Sequence, residues 1–255
     1  MMKIALPGIT GRMGQALAKA VLDDSETALA VATARSEHSM CGKALNQFLT
    51  HAELNSNPIT ILPEMSKFFD VAIDFTPPEV VMKNLAICLK HQKPMVIGTT
   101  GFNDTQLQAM KNARKDIPVL LAANMSLGVN LCYELLKQAA VALGADWDVS
   151  VSEIHHKHKK DSPSGTALQM GAVVAEANNQ DLSSIPFNSI RAGDVAGEHT
   201  VLFAAEGERL EITHKATNRM TFALGAVKAA KFLLGKKPAF YDMKDVIKLN
   251  LCHSS

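Results

Sequence analysis

The sequence has almost no net charge, few cysteines and no long apolar run, and each shortage removes a class of function. Lysine and arginine total 26 against 25 aspartates and glutamates, a formal net charge of +1 with histidines neutral. That balance supplies no global field for drawing in nucleic acid or an anionic membrane, although a local basic patch stays open. No stretch approaches the ~18 to 20 uninterrupted apolar residues of a spanning helix, so membrane insertion is not expected. The opening Met1-Met2-Lys3-Ile4-Ala5-Leu6 runs straight into Pro7-Gly8. This is too short an apolar segment for a secretory signal, and the expected compartment is the cytoplasm. The four cysteines, Cys41, Cys88, Cys132 and Cys252, lie far apart. Neither a Cys-x-x-Cys metal knuckle nor a disulfide-dense scaffold fits that spacing, so reduced and mostly buried thiols are expected.

What is present is a 255-residue chain with 47% hydrophobic and 20% charged residues, enough for one or two domains at ~150 residues each. From Lys3 to about Ala123, short apolar runs alternate with amphipathic stretches, the pattern of strand–helix–strand units in a parallel sheet. Strands are predicted at Lys3–Leu6, Leu29–Thr33, Val71–Phe75, Met95–Ile97 and Val119–Ala122, with helices over Gly11–Leu22 and Glu79–His91. After Asn124 the pattern changes to a long helix (Leu131–Leu143), an alternating strand (Trp147–Ile154) and a basic turn leading to a helix near Ser164. Two antiparallel strands, Glu198–Ala205 and Glu208–Lys215, precede a last helix over Met220–Leu233 and a short segment over Asp242–Leu251. The expected fold class is α/β: an N-terminal Rossmann-type parallel sheet with a second α+β domain built on an open mixed sheet. Residues 1–124 plus about 235–255 form the first domain in this reading, and about 125–234 the second.

Gly8-Ile9-Thr10-Gly11-Arg12-Met13-Gly14 joins the first predicted strand to the first predicted helix. A pyrophosphate site needs glycines there, for a tight turn, for close backbone approach and for helix–strand packing, with the phosphates at the helix N-terminus. The spacing departs from the commoner Gly-x-Gly-x-x-Gly, so a purely structural turn is the alternative. About 20 residues on, a dinucleotide fold often carries an acidic residue for the ribose, but here the sequence reads Thr33-Ala34-Arg35-Ser36. A guanidinium suits a 2′-phosphate, which points to NADPH ahead of NADH, with His38 or Lys43 able to share the task. The bland alternative is that Arg35 is an exposed charge.

The most specific segment is Glu153-Ile154-His155-His156-Lys157-His158-Lys159-Lys160-Asp161-Ser162-Pro163-Ser164-Gly165-Thr166-Ala167. Histidines and lysines fill every position from 155 to 160, and Ser-Pro-Ser-Gly-Thr then reads as a helix start, with Ser162 as cap and Pro163 in the first turn. A helix N-terminus beside basic side chains suits a small anion, and histidine is the natural general acid near neutral pH. A solvated charged face is one alternative. Zinc held by His155, His156 and His158 is another, but the lysines repel a cation and nothing at ligand spacing completes the set, so no metal is expected.

Together with Asp74-Phe75-Thr76, Val96-Ile97-Gly98-Thr99-Thr100-Gly101, Ala122-Ala123-Asn124, Arg191-Ala192-Gly193-Asp194, Gly197-Glu198-His199 and Arg209–Ala216, these motifs give a resemblance over nearly the whole chain. The sequence resembles the 4-hydroxy-tetrahydrodipicolinate reductase (dihydrodipicolinate reductase) family of the diaminopimelate route to lysine. The resemblance implies an NAD(P)H-dependent oxidoreductase, in a homotetramer, acting on a small dicarboxylate. It implies His155 as proton donor, Lys159 as second acid or charge partner, and His156, Gly165 and Thr166 as the carboxylate site. The cofactor would be lined by Gly8, Ile9, Thr10, Gly11, Arg12, Met13, Arg35, Gly98, Thr99, Thr100, Ala122, Ala123, Asn124 and Met125. Two departures stand out. Ala34 occupies the place of the carboxylate found in members that use both cofactors well, and the stretch before Arg191 is short. Competing readings are another amino-dicarboxylate dehydrogenase, or a non-catalytic NADP(H)-sensing module.

Overall fold

A computed structural model describes residues 1–247; Cys252 and the end of the expected C-terminal segment lie outside the described residues. The described chain divides into two compact units, Met1–Met125 with residues 222–247, and Ser126–Thr221.

The first unit is a seven-stranded, wholly parallel sheet with helices. It contains β1 (Met2–Leu6), α1 (Arg12–Leu22), β2 (Thr27–Thr33), α2 (Ala52–Ser56), β3 (Ile61–Leu62) and β4 (Val71–Asp74). It continues with α3 (Pro78–Lys90), β5 (Met95–Ile97), α4 (Asp104–Ala113) and β6 (Pro118–Leu121), then resumes with most of α7 (Met220–Leu233), β11 (Ala239–Tyr241) and α8 (Met243–Ile247). The strand order is β11-β6-β5-β4-β1-β2-β3, all pairs parallel. Strands such as β4 and β5 are buried at every position, as a sheet covered on both faces requires. The order reverses between β1 and β4, and a crevice for ligands opens at the carboxyl ends of strands beside such a reversal.

The chain returns to this unit earlier than the sequence reading placed it, at Phe222 and not near 235. Helix α7 packs here because Gly225 lies against the Met125 backbone, where a Cβ would collide with the carbonyl oxygen. Lys231 Nζ also reaches Asp24 Oδ2 at 2.6 Å and Glu26 Oε2 at 2.7 Å.

The second unit holds α5 (Leu127–Leu143), β7 (Asp148–His155), α6 (Gly165–Ala177), β8 (Phe187–Arg191), β9 (Gly197–Ala205) and β10 (Glu208–Ala216). Its sheet runs β10-β9-β7-β8; β8 is parallel to β7 and the other pairs are antiparallel. One face is covered: Val151, Val201 and Phe203 are fully buried in a cluster with Leu136 and Ala140 of α5 and Met170 and Val174 of α6. The opposite face carries Ile154 and its neighbour in register, Ile190, which is 49% exposed. Among the cysteines, Cys88 and Cys132 are buried and Cys41 is partly so, all three as free thiols.

Candidate active site

In the first unit, the glycine turn follows β1 directly. Gly8 has φ +69°, a conformation other residues adopt at a cost. A Cβ on Gly14 would run into the Gly8 carbonyl and the Ile9 backbone, so the helix can lie this close to the turn only with glycine there. Gly11 caps α1 without any side-chain hydrogen bond, and no acidic residue stands in the first turn. An N-terminus left uncapped and free of carboxylates fits a pyrophosphate. The remaining expected cofactor positions follow β2 (Arg35), β5 (Gly98, Thr99, Thr100) and β6 (Ala122, Ala123, Asn124, Met125). All therefore stand beyond the carboxyl ends of neighbouring strands. Ile9 and Met125 have buried side chains, which leaves only their backbone to face a ligand. The Ile9 amide is already bonded to Thr33 O at 2.9 Å.

These strand-end loops are braced by Asp74, the first residue of the Asp74-Phe75-Thr76 segment already singled out in the sequence. Asp74, fully buried at the end of β4, accepts from Thr76 N (2.8 Å), Thr76 Oγ1 (2.6 Å) and Asn84 Nδ2 (2.7 Å). Burial pushes its pKa up against these bonds. Thr99 Oγ1 then donates to Thr76 O at 2.7 Å, tying the loop after β5 to that after β4. Arg35 is held only loosely: its side chain is 79% exposed and Nε lies 3.7 Å from Glu37 Oε1.

In the second unit, His155 is the last residue of β7 and is buried, while His156 and Lys159 are partly buried in the turn that follows. Lys159 Nζ pairs with Asp161 Oδ1 at 2.8 Å. The helix after the turn starts near Ser164, as the sequence suggested, but its cap is not the one expected. Ser164, not Ser162, is the cap, accepting from Ala167 N at 3.1 Å, and Pro163 precedes it through a cis Ser162–Pro163 bond. Gly165 and Thr166 thus form the first two positions of α6. Tyr133 is pushed up to about 12 by burial, against a hydrogen bond with Thr166.

Three further residues complete this cluster. His155 Nδ1 is hydrogen-bonded to Oε2 of Glu153. Arg191 Nη1 donates to the same oxygen at 2.9 Å, and Nη2 lies 2.8 Å from Oε1. His199, 4% exposed, stands edge-on to His155 with ring centroids 5.0 Å apart, and its Nε2 is 3.0 Å from Ser164 Oγ. Burial alone would raise Glu153, but hydrogen bonds from Arg191, Ser189 and His155 outweigh it and bring it down to about 2. Burial lowers His155, opposed by the Glu153 carboxylate, and burial lowers His199 to about 4 with the charge of His155 adding to the effect. Glu153 was discoverable from sequence, since residues two apart on a strand share a face. Arg191 and His199 were not, because they arrive through the pairings of β8 and β9 with β7.

The family models separate along the same lines as the two units. The model described as "Dihydrodipicolinate reductase, N-terminus" matches residues 2–125, and "Dihydrodipicolinate reductase, C-terminus" matches residues 128–247. The chain belongs to the dihydrodipicolinate reductase family. It is 46% identical over 266 residues to the 4-hydroxy-tetrahydrodipicolinate reductase of Hahella chejuensis, covering 98% of this chain and 100% of that one. The Pseudomonas fluorescens enzyme of the same name is also 46% identical, over 268 residues and with the same coverage. Among solved structures, dipicolinate-bound dihydrodipicolinate reductase from Paenisporosarcina sp. TG-14 is similar in fold. Its TM-score is 0.78 at 24% identity, over 97% of this chain and 99% of that one. Reductases of this family use a nicotinamide cofactor, and the uncapped, glycine-lined start of α1 fits such a group.

Proposed function

We propose that the chain reduces 4-hydroxy-tetrahydrodipicolinate to tetrahydrodipicolinate: the 4-hydroxyl leaves as water, and the resulting unsaturated ring takes hydride from a nicotinamide cofactor and a proton from His155. The observation that carries this is the buried histidine whose Nδ1 is held by a carboxylate, beside a basic turn and the start of α6. Family membership and the names of the 46% identical relatives support the substrate.

The cofactor supplies the hydride, and the protein supplies position and charge. The start of α1 and the Gly8–Met13 turn would hold the pyrophosphate, with the loops after β5 and β6 lining the remainder. The substrate brings two carboxylates. His156, Lys159 and the first turn of α6 at Gly165 and Thr166 would bind them, offsetting charge at the places where the ring must be oriented. Once hydride has reached the unsaturated ring, the neighbouring carbon of the resulting enamine needs a proton, and His155 Nε2 would give it. Lys159 serves as the second acid or as fixed positive charge.

NADPH is the preferred cofactor in this reading. Arg35 is exposed and only glancingly paired, so it can close on a 2′-phosphate, and Ala34 offers no carboxylate to a ribose hydroxyl. We also place the chain in the cytoplasm as a homotetramer without membrane or nucleic-acid partners. Ile190 and Ile154 on the open face of the second sheet support self-association. Oxidation of NADPH and NADH by the purified chain, with freshly generated substrate, tests substrate and cofactor together. Substrate-dependent oxidation, faster with NADPH, is expected; none with either cofactor would overturn the proposal.

A further inference from the structure

Glu153 is a carboxylate that the reaction above never touches, yet it is 1% exposed, with Oε2 bonded to both His155 and Arg191 and Oε1 in an ion pair with Arg191. Burying a carboxylate is costly unless a cation and hydrogen bonds compensate, and here one guanidinium supplies both. Arg191 sits opposite His155 in the β7–β8 register, so its side chain lies on the same face as His155 and Glu153. Besides its two contacts to Glu153, its Nη2 donates to the Asp161 carbonyl at 2.6 Å. The same side chain therefore neutralises the carboxylate and anchors the turn that carries Lys159.

An ionised carboxylate can only accept hydrogen bonds, so the His155 nitrogen facing it must keep its hydrogen. The proton the ring can lose is then the one on Nε2. No partner is found for that atom among the described residues, and Gly197 faces it without a side chain: a Cβ there would stand 3.0 Å away, a crowded contact. We infer that Glu153, clamped by Arg191, is the positioning residue for His155, fixing its ring with hydrogen on Nδ1 and presenting Nε2 as the end that gives up a proton. The inference rests on the reading of His155 as proton donor.

The groups around His155 indicate what Glu153 adds. Arg191 faces it from β8, His199 from β9, and Lys159 with Asp161 from the turn. Burial, Lys159 and Arg191 all favour the neutral ring, whereas Glu153 is the anion in direct contact and favours the charged one. Without it, His155 would be deprotonated at a lower pH and would be a donor over a narrower range.

Two measurements test this separately from the donor assignment. In the unaltered protein, nitrogen-15 NMR of the His155 ring, assigned by its loss in His155→Gln, should show the neutral form with hydrogen on Nδ1. A ring with hydrogen on Nε2, or a mixture, overturns the inference even if the Glu153 variants fail to fold. In Glu153→Gln, the His155 titration and the basic limb of kcat/KM should both move to lower pH by about one unit or more. Glu153→Asp should recover part of the shift. A loss of activity that is uniform across pH, with the titration unmoved, would mean that Glu153 is only structural and would overturn the inference. Full activity in His155→Ala would remove the donor assignment instead, while the NMR result would still decide the orientation.

Discussion

The hydroxyl of Ser164 lies 3.0 Å from Nε2 of His199, so the cap of α6 is fastened to the middle of the second sheet. A comparable contact holds α5: its cap Ser126 lies 3.3 Å from Nε2 of His214, the residue paired with His199 across β9 and β10. Both histidines are lowered by burial, His199 to about 4. The unfolded chain therefore binds more protons than the folded one between about pH 6.5 and 4.

Stability should accordingly be complete above about pH 6.5 and decline as the pH falls towards 4. Urea unfolding at pH 7, 5.5 and 4.5 measures this. His199→Asn should be less stable at pH 7, for want of a well-fitting partner for Ser164, yet lose less on acidification. An identical acid loss in variant and parent would show that His199 does not titrate with folding.

His155→Ala should lower kcat by about 10²-fold or more, the range for a lost general acid, and Lys159→Ala should do comparably. Steady-state kinetics at saturating cofactor checks it. An unimpaired kcat in His155→Ala would take that side chain out of proton transfer.

Arg35→Ala should raise KM for NADPH while leaving that for NADH nearly unchanged, because only the former has a phosphate for the guanidinium to grip. A carboxylate introduced as Ala34→Asp should shift preference towards NADH. Equal effects of Arg35→Ala on both cofactors would locate the 2′-phosphate elsewhere.

Asp74→Ala should destabilise the first unit by about 2 to 5 kcal/mol, since it strands three buried donors on Thr76 and Asn84. It should also weaken cofactor binding, because Thr76 in turn anchors Thr99. Thermal unfolding and cofactor titration report the two effects. A variant as stable as its parent would show that the network is dispensable.

Periodicity made much of the architecture legible. Helix α7 falls on the residues expected of it, and β5 likewise, because both carry long or wholly apolar signatures. The short strands escaped: β3 has two residues and β11 three, too few to show an alternation. Strand β8, Phe-Asn-Ser-Ile-Arg, has too little apolar content to stand out and is defined by its pairing with β7. Helix α4 did carry a signal, the reciprocal Asn103 and Gln106 capping box, that hydrophobic spacing alone passes over. At the candidate site, the sequence displays the basic turn as one continuous run. Of the partners around His155, Glu153 is legible two residues away on the same strand, whereas Arg191 and His199 are joined to it by strand register, which no local pattern encodes.

The parallel pairing of β11 with β6 has a consequence for synthesis. When the ribosome has released the first 125 residues, the sheet they build still lacks its outer strand and the helix α7 that lies against Met125. The 96-residue stretch from Ser126 to Thr221 emerges whole in the interval and has every strand of its own sheet. The later-made unit is thus the first able to finish folding, and the earlier one waits with an open edge until Tyr241 has been added.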